Sequence, residues 1–409
     1  MKLNKAIVAG HIVISFDNVI NGFLSVVIAP IFFGISSDPI VQLLLSYSAF
    51  AMMYVFQPLG AIVFGKLGDK IGRKKILLMG IFGIGLADLI TGLLPTYQIT
   101  VIAPIMLVLL RSIHGFFLGA EYSGVLIYNH ETGNIHPSSA SAIISCGIMG
   151  GAIAAIVCFF ITKNGTPEWF WRLPYIVGGI SALIILTMWQ KMPETREYIK
   201  AFEERRIAES PIKKIMQNYK LEIATSIAIS ACYIGLSYSS TIFGSRLFQQ
   251  AGYTAHESMI FIMINLFFSA VSIMIMGKIA NIIGLKRLLK YGTLSLIAMA
   301  WPLCFLISSE LTITKIYLYM AIITFLSSSV VSCSATYISN LFKVSYRYTG
   351  FAFAESMGSV IGGLTPCVML LLSSFFKSNI GCVIWFYILT IPAFILIRLM
   401  NRTIDHQNR

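Results

Sequence analysis

Charge is what this sequence has least of. Asp, Glu, Lys and Arg supply 11% of its 409 residues, where soluble domains carry roughly 25%. That excludes a water-soluble body. Acidic side chains are the scarcer kind, 17 against 30 basic, for a net charge of +13. On a soluble face such an excess would suggest nucleic acid. Here the basic residues fall between long apolar runs, so nucleic acid is excluded as a partner and an anionic membrane leaflet is implied. Cysteine is sparse as well. Cys146, Cys158, Cys232, Cys304, Cys333, Cys367 and Cys382 all lie in or beside apolar runs, and no CxxC occurs. A disulfide framework and a zinc site are therefore not expected. Only one long polar stretch is present, residues 193–220, and nine residues follow Met400. An added soluble domain, of the kind a transport-like sensor carries, is not expected. The short loops show no paired acids, metal-ligand cluster or Ser/His pair, which argues against a membrane enzyme.

What the chain has in quantity is apolar sequence, 57% of it. A membrane span takes about 20 apolar residues. Twelve such runs are predicted, at 8–34, 43–64, 76–95, 99–128, 139–162, 171–191, 221–245, 257–277, 288–308, 313–340, 348–373 and 379–400. They must be helices, because a spanning segment has to satisfy its own backbone. The fold class expected is an all-α polytopic membrane protein. The start, MKLNK, resembles a signal n-region, but the run behind it is too long for a signal peptide and reads as the first span.

Residues 65–75 (GKLGDKIGRKK) are polar, basic and punctuated by Gly65 and Gly72. Such a run cannot sit in hydrocarbon and is predicted to be a tight turn on the cytoplasmic face, where Lys and Arg collect. The pattern returns 212 residues later as GKIANIIGLKR, with Asn281 where Asp69 stood. An offset of half the chain implies two similar halves: a six-helix bundle over 1–192, a cytoplasmic linker over 193–220, and a second bundle over 221–409. Counting loops with both termini cytoplasmic puts 24 Lys/Arg inside and 5 outside, leaving Arg111 alone within a span. The bias fixes the expected orientation. The linker is read as a surface amphipathic helix or a charged tether.

Polar groups inside spans are functional candidates by default. The first span carries His11, Ser15, Asp17, Asn18, Asn21 and Ser25. Positions 11, 15, 18, 22 and 25 share one helical face, with Asp17 and Asn21 beside it. Asp17 is expected either to line a pathway or to be bonded within the bundle. The fourth span carries Arg111, His114, Glu121 and Tyr122 on one arc. Arg111, expected near mid-depth, needs a partner, and Asp17 and Glu121 are the candidates. His114 is read as a packing residue in preference to a proton relay, and Asp88, in the third span, as a wet interfacial carboxylate. Glu355 in the eleventh span is either a pathway group or a carboxylate of a cytoplasmic vestibule. Tyr233, Ser237, Tyr238 and Thr241 in the seventh span are possible ligands, and tyrosine faces suit a quaternary ammonium, although a tyrosine in a membrane bundle is usually packing.

The 65–75 run resembles the loop between the second and third helices of the major facilitator superfamily. Further runs in order resemble its metabolite:proton symporter family: FQPLG at 56–60, GLLPTY at 92–97, API at 103–105, Arg111 to Gly115 with GAEY at 119–122, WRLP at 171–174, PET at 193–195, RYTG at 347–350 and GGLTP at 362–366. The resemblance implies twelve helices in two pseudo-symmetric bundles and alternating access. It implies proton-coupled uptake of a small solute such as proline, betaine, 2-oxoglutarate, citrate or shikimate. It also implies a bacterial inner-membrane location, no cofactor beyond the proton gradient and a monomer. Asp69 and Arg73 would take the family's gating roles, with Gly65, Gly72 and Asn281 shaping the two turns. Asp17, Arg111 and Glu121 match its pathway residues, with Glu355, Asn18, Asn21 and Tyr122 as further pathway candidates. Four positions depart from the family pattern, one of them Asn281, which weakens the second gating turn. Ile14 stands where the first-helix Glu is usual, Gln57 replaces an Arg, and Glu355 stands where Asn is expected. A proton-linked antiporter or exporter is the alternative, but the fifth span, GIMGG at 147–151, lacks the proline such antiporters place there.

Overall fold

A computed structural model describes residues 5–34, 38–132, 136–163, 165–204, 211–343 and 346–407. Residues 1–4, with Lys2, and Arg205, Arg206, Glu209 and Arg409 of the charge count lie outside the described residues. Among the described residues, twelve helices are long and apolar enough to cross a membrane. The first span runs Lys5–Phe23 and Ser25–Phe33, interrupted at Leu24. The second to sixth are Pro39–Ile71, Arg73–Gly92, Ala103–Glu131, Pro137–Ile161 and Glu168–Gln190. The seventh to twelfth are Lys220–Gln250, Ala255–Ile283, Leu285–Leu306, Ile313–Leu341, Arg347–Phe375 and Asn379–Thr403. The seventh is interrupted at Thr241 and the eleventh at Leu364, just before Pro366.

Local sequence sets the ends. Asp38 accepts from Ile40 N at 2.8 Å to cap the second span. Thr254 and Glu257 form a reciprocal capping box at the start of the eighth, which satisfies two orphan donors. The 65–75 run is not the tight turn expected from its charge. Gly65 to Ile71 are the last turns of the second helix, Arg73 opens the third, and only Gly72 breaks them, at φ 106°. Gly284 does the same at φ 92° between the eighth and ninth spans. A helix long enough to protrude beyond hydrocarbon keeps its hydrogen bonds while its polar end sits in water, so charge alone does not terminate it. The positive φ needs glycine, and it falls on the same position of both repeats.

The halves meet along two pairs of spans. The second lies against the eleventh, and the fifth against the eighth. Within the first half, the second and fourth spans cross at Gly115 and Gly119. A Cβ at Gly119 would stand 2.5 Å from Ala61 N and 2.9 Å from Gly60 C, so only glycine allows this approach. The linker holds two short helices, Arg196–Glu203 and Pro211–Asn218. The end that carries the 65–75 run and the linker is called the basic face below, and the other the far face.

Candidate functional site

At the basic face, Asp69 crosses between the halves. Its Oδ2 accepts from Thr349 Oγ1 at 2.5 Å, and Gly65 lets the eleventh span come close at the same residue. Arg73 is buried among carboxylates: Asp69 at 3.2 Å and Glu131 at 3.2 Å, with its Nη1 donating to Gly68 O at 2.8 Å. The rings of Tyr198 and Tyr348 lie 4.9 and 5.8 Å from its guanidinium. Glu194 accepts the backbone N–H groups of Arg73 and Lys74, which places a carboxylate at the positive end of the third helix. Thr195 caps the linker helix and donates to Glu131 at 2.8 Å. Burial pushes the Tyr198 phenol above its ordinary range, so it stays neutral and donates to Lys70 O at 3.0 Å. Arg347 pairs with Glu197 of the linker at 2.9 Å. The second repeat is plainer: Asn281 Nδ2 donates to Ser138 Oγ at 2.9 Å, and Leu285 stands at the position that Arg73 holds in the first.

Between the halves lies a cavity of about 160 Å³. His11, Ser15 and Asn18 of the first span line it, with Tyr54 and Gln57 of the second and Tyr122 of the fourth. Tyr233, Ser237, Tyr238 and Thr241 of the seventh span close the other side. Two tyrosine pairs bridge the halves here. The Tyr54 and Tyr238 hydroxyls touch, and Tyr122 OH lies 3.4 Å from Tyr233 OH. Among the described lining residues none is Asp, Glu, Lys or Arg. The Gln57 Oε1 has no hydrogen-bond partner among the described residues. The seventh-span ligands and the first-span stripe thus come together at one wall. Farther along that stripe, Gly22 packs on Ile242 and Ser25 bonds back to Asn21 O.

The buried charges sit behind this wall, not on it. Arg111 does not pair with Asp17 or Glu121. Its Nη2 donates to Asp88 Oδ1 at 2.8 Å and to Thr91 Oγ1 at 2.9 Å. It lies eight residues into its helix, nearer the far face than the mid-depth expected, and opposite the far end of the third span. Helix register therefore delivers Asp88, which is 1% exposed and is no wet interfacial group. His114, expected to be packing, is in the same cluster, its Nδ1 3.1 Å from Asp88 Oδ1 and its Nε2 3.4 Å from Asn18 Oδ1. Arg111 also faces the Tyr175 ring at 5.1 Å, and Tyr175 OH donates to Asn21 at 2.9 Å. Asp17 packs on Gly178, where any Cβ would overlap its carboxylate. Its electrostatic neighbours are Asp88, Arg111 and Glu121, with its carboxyl set against that of Asp88, and no N–H or hydroxyl donor among the described residues reaches its oxygens. Glu121 is buried and likewise unpartnered, against Gly80. Glu355 is not in an open vestibule: it is buried and accepts from Ser230 and Tyr233, which ties it to the cavity through Tyr233. Sequence reading missed Asp88 as the partner of Arg111. The signal available was its register against Arg111, which needs the helix packing to interpret.

A cavity between two helical halves, largely apolar with a few polar groups in its wall, with buried ion pairs behind it and a network across one face, is the build of a membrane transporter. The chain belongs to the Major Facilitator Superfamily, whose family model matches residues 10–366, and it is a multi-pass secondary transporter rather than an enzyme. It is 27% identical over 90% of its length to the glycine betaine, proline, ectoine and pipecolic acid transporter of Dickeya dadantii, covering 77% of that protein. It is 25% identical to the shikimate transporter of Escherichia coli, over 91% of this chain and 87% of that one. It is 25% identical to the citrate-proton symporter of Klebsiella pneumoniae, over 88% and 83%. The fold matches the crystal structure of the D-xylose-proton symporter with a TM-score of 0.75, at 14% identity over 96% of this chain and 95% of that one.

Proposed function

We propose that this protein imports a small zwitterion, of the betaine and proline kind, together with protons, across a bacterial inner membrane. The observation that carries this reading is the chemistry of the cavity wall. It offers four tyrosines, His11, hydroxyls and two amides, and no permanent charge among the described lining residues. A net-neutral solute enters such a wall without stranding a charge. Tyrosine faces take its ammonium by cation–π attraction, while Asn18 and Gln57 can donate to its carboxylate. A multiply charged anion such as citrate would need cations there, and the usual Arg is Gln57. The relatives that carry betaine and proline support the same solute class.

In this reading the basic face is cytoplasmic with both termini, the protein works as a monomer without a cofactor, and the halves 1–192 and 221–409 rock about the cavity. Asp69, Arg73, Gly65, Gly72 and Asn281 form the inner gate, and the gate opens when Asp69 leaves Thr349. Protons use the buried acids behind the wall, with Glu121 on the route to the basic face. A thermal-shift screen of the purified protein tests the solute class, because a ligand stabilises the state it binds. Glycine betaine or L-proline should raise the melting temperature, and citrate should not. A shift from citrate alone would replace the zwitterion reading.

A further inference from the structure

Asp17, Asp88, Arg111 and His114 are buried together. The two carboxylates and the guanidinium sum to one negative charge. Uncompensated charge is costly away from water, so one added proton completes the set. Asp17, set against the Asp88 carboxyl, is one group able to take it, and His114 is the other. Its Nδ1 faces Asp88 Oδ1 at 3.1 Å and its Nε2 faces Asn18 Oδ1 at 3.4 Å. Both ring nitrogens thus face acceptors, and only an imidazolium donates from both. The groups around it come from several elements. Asp17 and Asn18 belong to the first span, Asp88 to the third and Tyr175 to the sixth, and Arg111 is on its own helix. The second span meets this stretch through backbone, Met53 at Gly115. Glu121, farther along the same helix, is a further electrostatic neighbour of Asp17, and it and Tyr122 also have Tyr348 and Glu355 of the eleventh span as neighbours.

Asn18 is the one member of this arrangement that also lines the cavity. Its amide has an acceptor end and a donor end. With Oδ1 held by the imidazolium, Nδ2 is the end left for the cavity. When His114 loses the Nε2 proton, that nitrogen becomes an acceptor facing an acceptor. The amide then turns over, gives Nδ2 to His114 and shows Oδ1 to the cavity.

We propose that Asn18 is the solute-reading end of a proton relay. Protonated His114 holds it with a donor toward the solute carboxylate, and deprotonation turns the amide and withdraws that donor. The step forms one N–H bond at His114 Nε2 and breaks one O–H bond of a hydronium ion, and no electrons are exchanged. Proton and zwitterion then bind as a pair, and linkage makes the effect mutual. The proposal deepens the symport reading and rests on it for the carboxylate-bearing solute.

The test uses the purified full-length protein with glycine betaine as the probe and nitrogen-15 histidine spectra as a probe-free readout. In the wild type, affinity should fall about tenfold per pH unit above the His114 midpoint, as one linked proton requires. Asn18→Ala should flatten that slope while the His114 signal, assigned by its loss in His114→Gln, still titrates with an altered midpoint. His114→Gln, whose amide can donate to Asn18 at every pH, should bind with little pH dependence and keep its affinity at high pH. A merely structural histidine would not produce that retention. A wild-type slope in Asn18→Ala overturns the relay. So does a His114 signal that never carries both protons between about pH 5 and 9. If no zwitterion binds the wild type, the solute reading fails, and the spectra alone decide the relay: an unchanged His114 midpoint in Asn18→Ala refutes it.

Discussion

Arg111 shows what one buried charge demands of its neighbours. It is fully buried, and its Nη2 donates to Asp88 and Thr91, while Nε and Nη1 have no hydrogen-bond partner among the described residues. Arg111→Gln leaves Asp88 with only His114 and should cost about 3–5 kcal/mol, the range for breaking a buried pair by removing one partner. Thermal unfolding in detergent reads this as a large drop in melting temperature. Adding Asp88→Asn should recover part of the loss, since the stranded charge is then gone. Glu121 belongs to the same scale. If it carries protons toward the basic face, Glu121→Gln should abolish gradient-driven accumulation of glycine betaine while counterflow without a gradient continues. Accumulation that persists in that variant would remove Glu121 from the route. The need of Arg111 for a partner was legible in the sequence, because a lone charge in a span is costly. The partner's identity was not, because Asp88 and His114 are brought to it by the packing of two helices whose register no residue count supplies.

Among elements, the two repeated helix junctions differ in one telling way. The first joins Asp69 to Thr349 across the halves with Arg73 beside it, and the second joins Asn281 to Ser138 without charge. A hydrogen bond to a charged group is worth about 1.5–3 kcal/mol, a neutral one about 1. Asp69→Asn should therefore slow transport by roughly tenfold or more while expression stays near normal, and Asn281→Ala should matter less. Initial rates in proteoliposomes at equal protein load compare the two. Equal losses would mean that the charge of Asp69 carries nothing. Glu194→Ala should lower stability by about 1 kcal/mol, because it removes a carboxylate from the positive end of the third helix, and the melting temperature reports it. The repeat itself was readable from spacing and glycines. Helix length was not, since the charge of Lys66, Asp69 and Lys70 says that water is near but not that the helix stops.

At the scale of the molecule, twelve apolar runs and the basic bias were plain in the sequence, and the family model and the fold agree with the twelve runs. The cavity was legible only in parts. His11, Ser15 and Asn18 announced themselves as a stripe, and Tyr233 to Thr241 as possible ligands. Tyr54 and Gln57 looked like neighbours of a packing motif, because a polar residue in an apolar helix gives no sign of which helix it will face. Contacts between the halves occur at the basic face through Asp69 and Thr349, and beside the cavity through Tyr54 with Tyr238 and Tyr122 with Tyr233. A device with two closures around one cavity alternates by exchanging them. In the proposed reading, a proton turns that exchange into uphill transport. The direct measurement is uptake of labelled glycine betaine by proteoliposomes with an alkaline interior, against the same vesicles without a gradient. The account predicts an internal concentration above the external one only with the gradient, lost when a protonophore collapses it. Equal filling in both conditions, or concentration only under the reversed gradient, would contradict proton-coupled import.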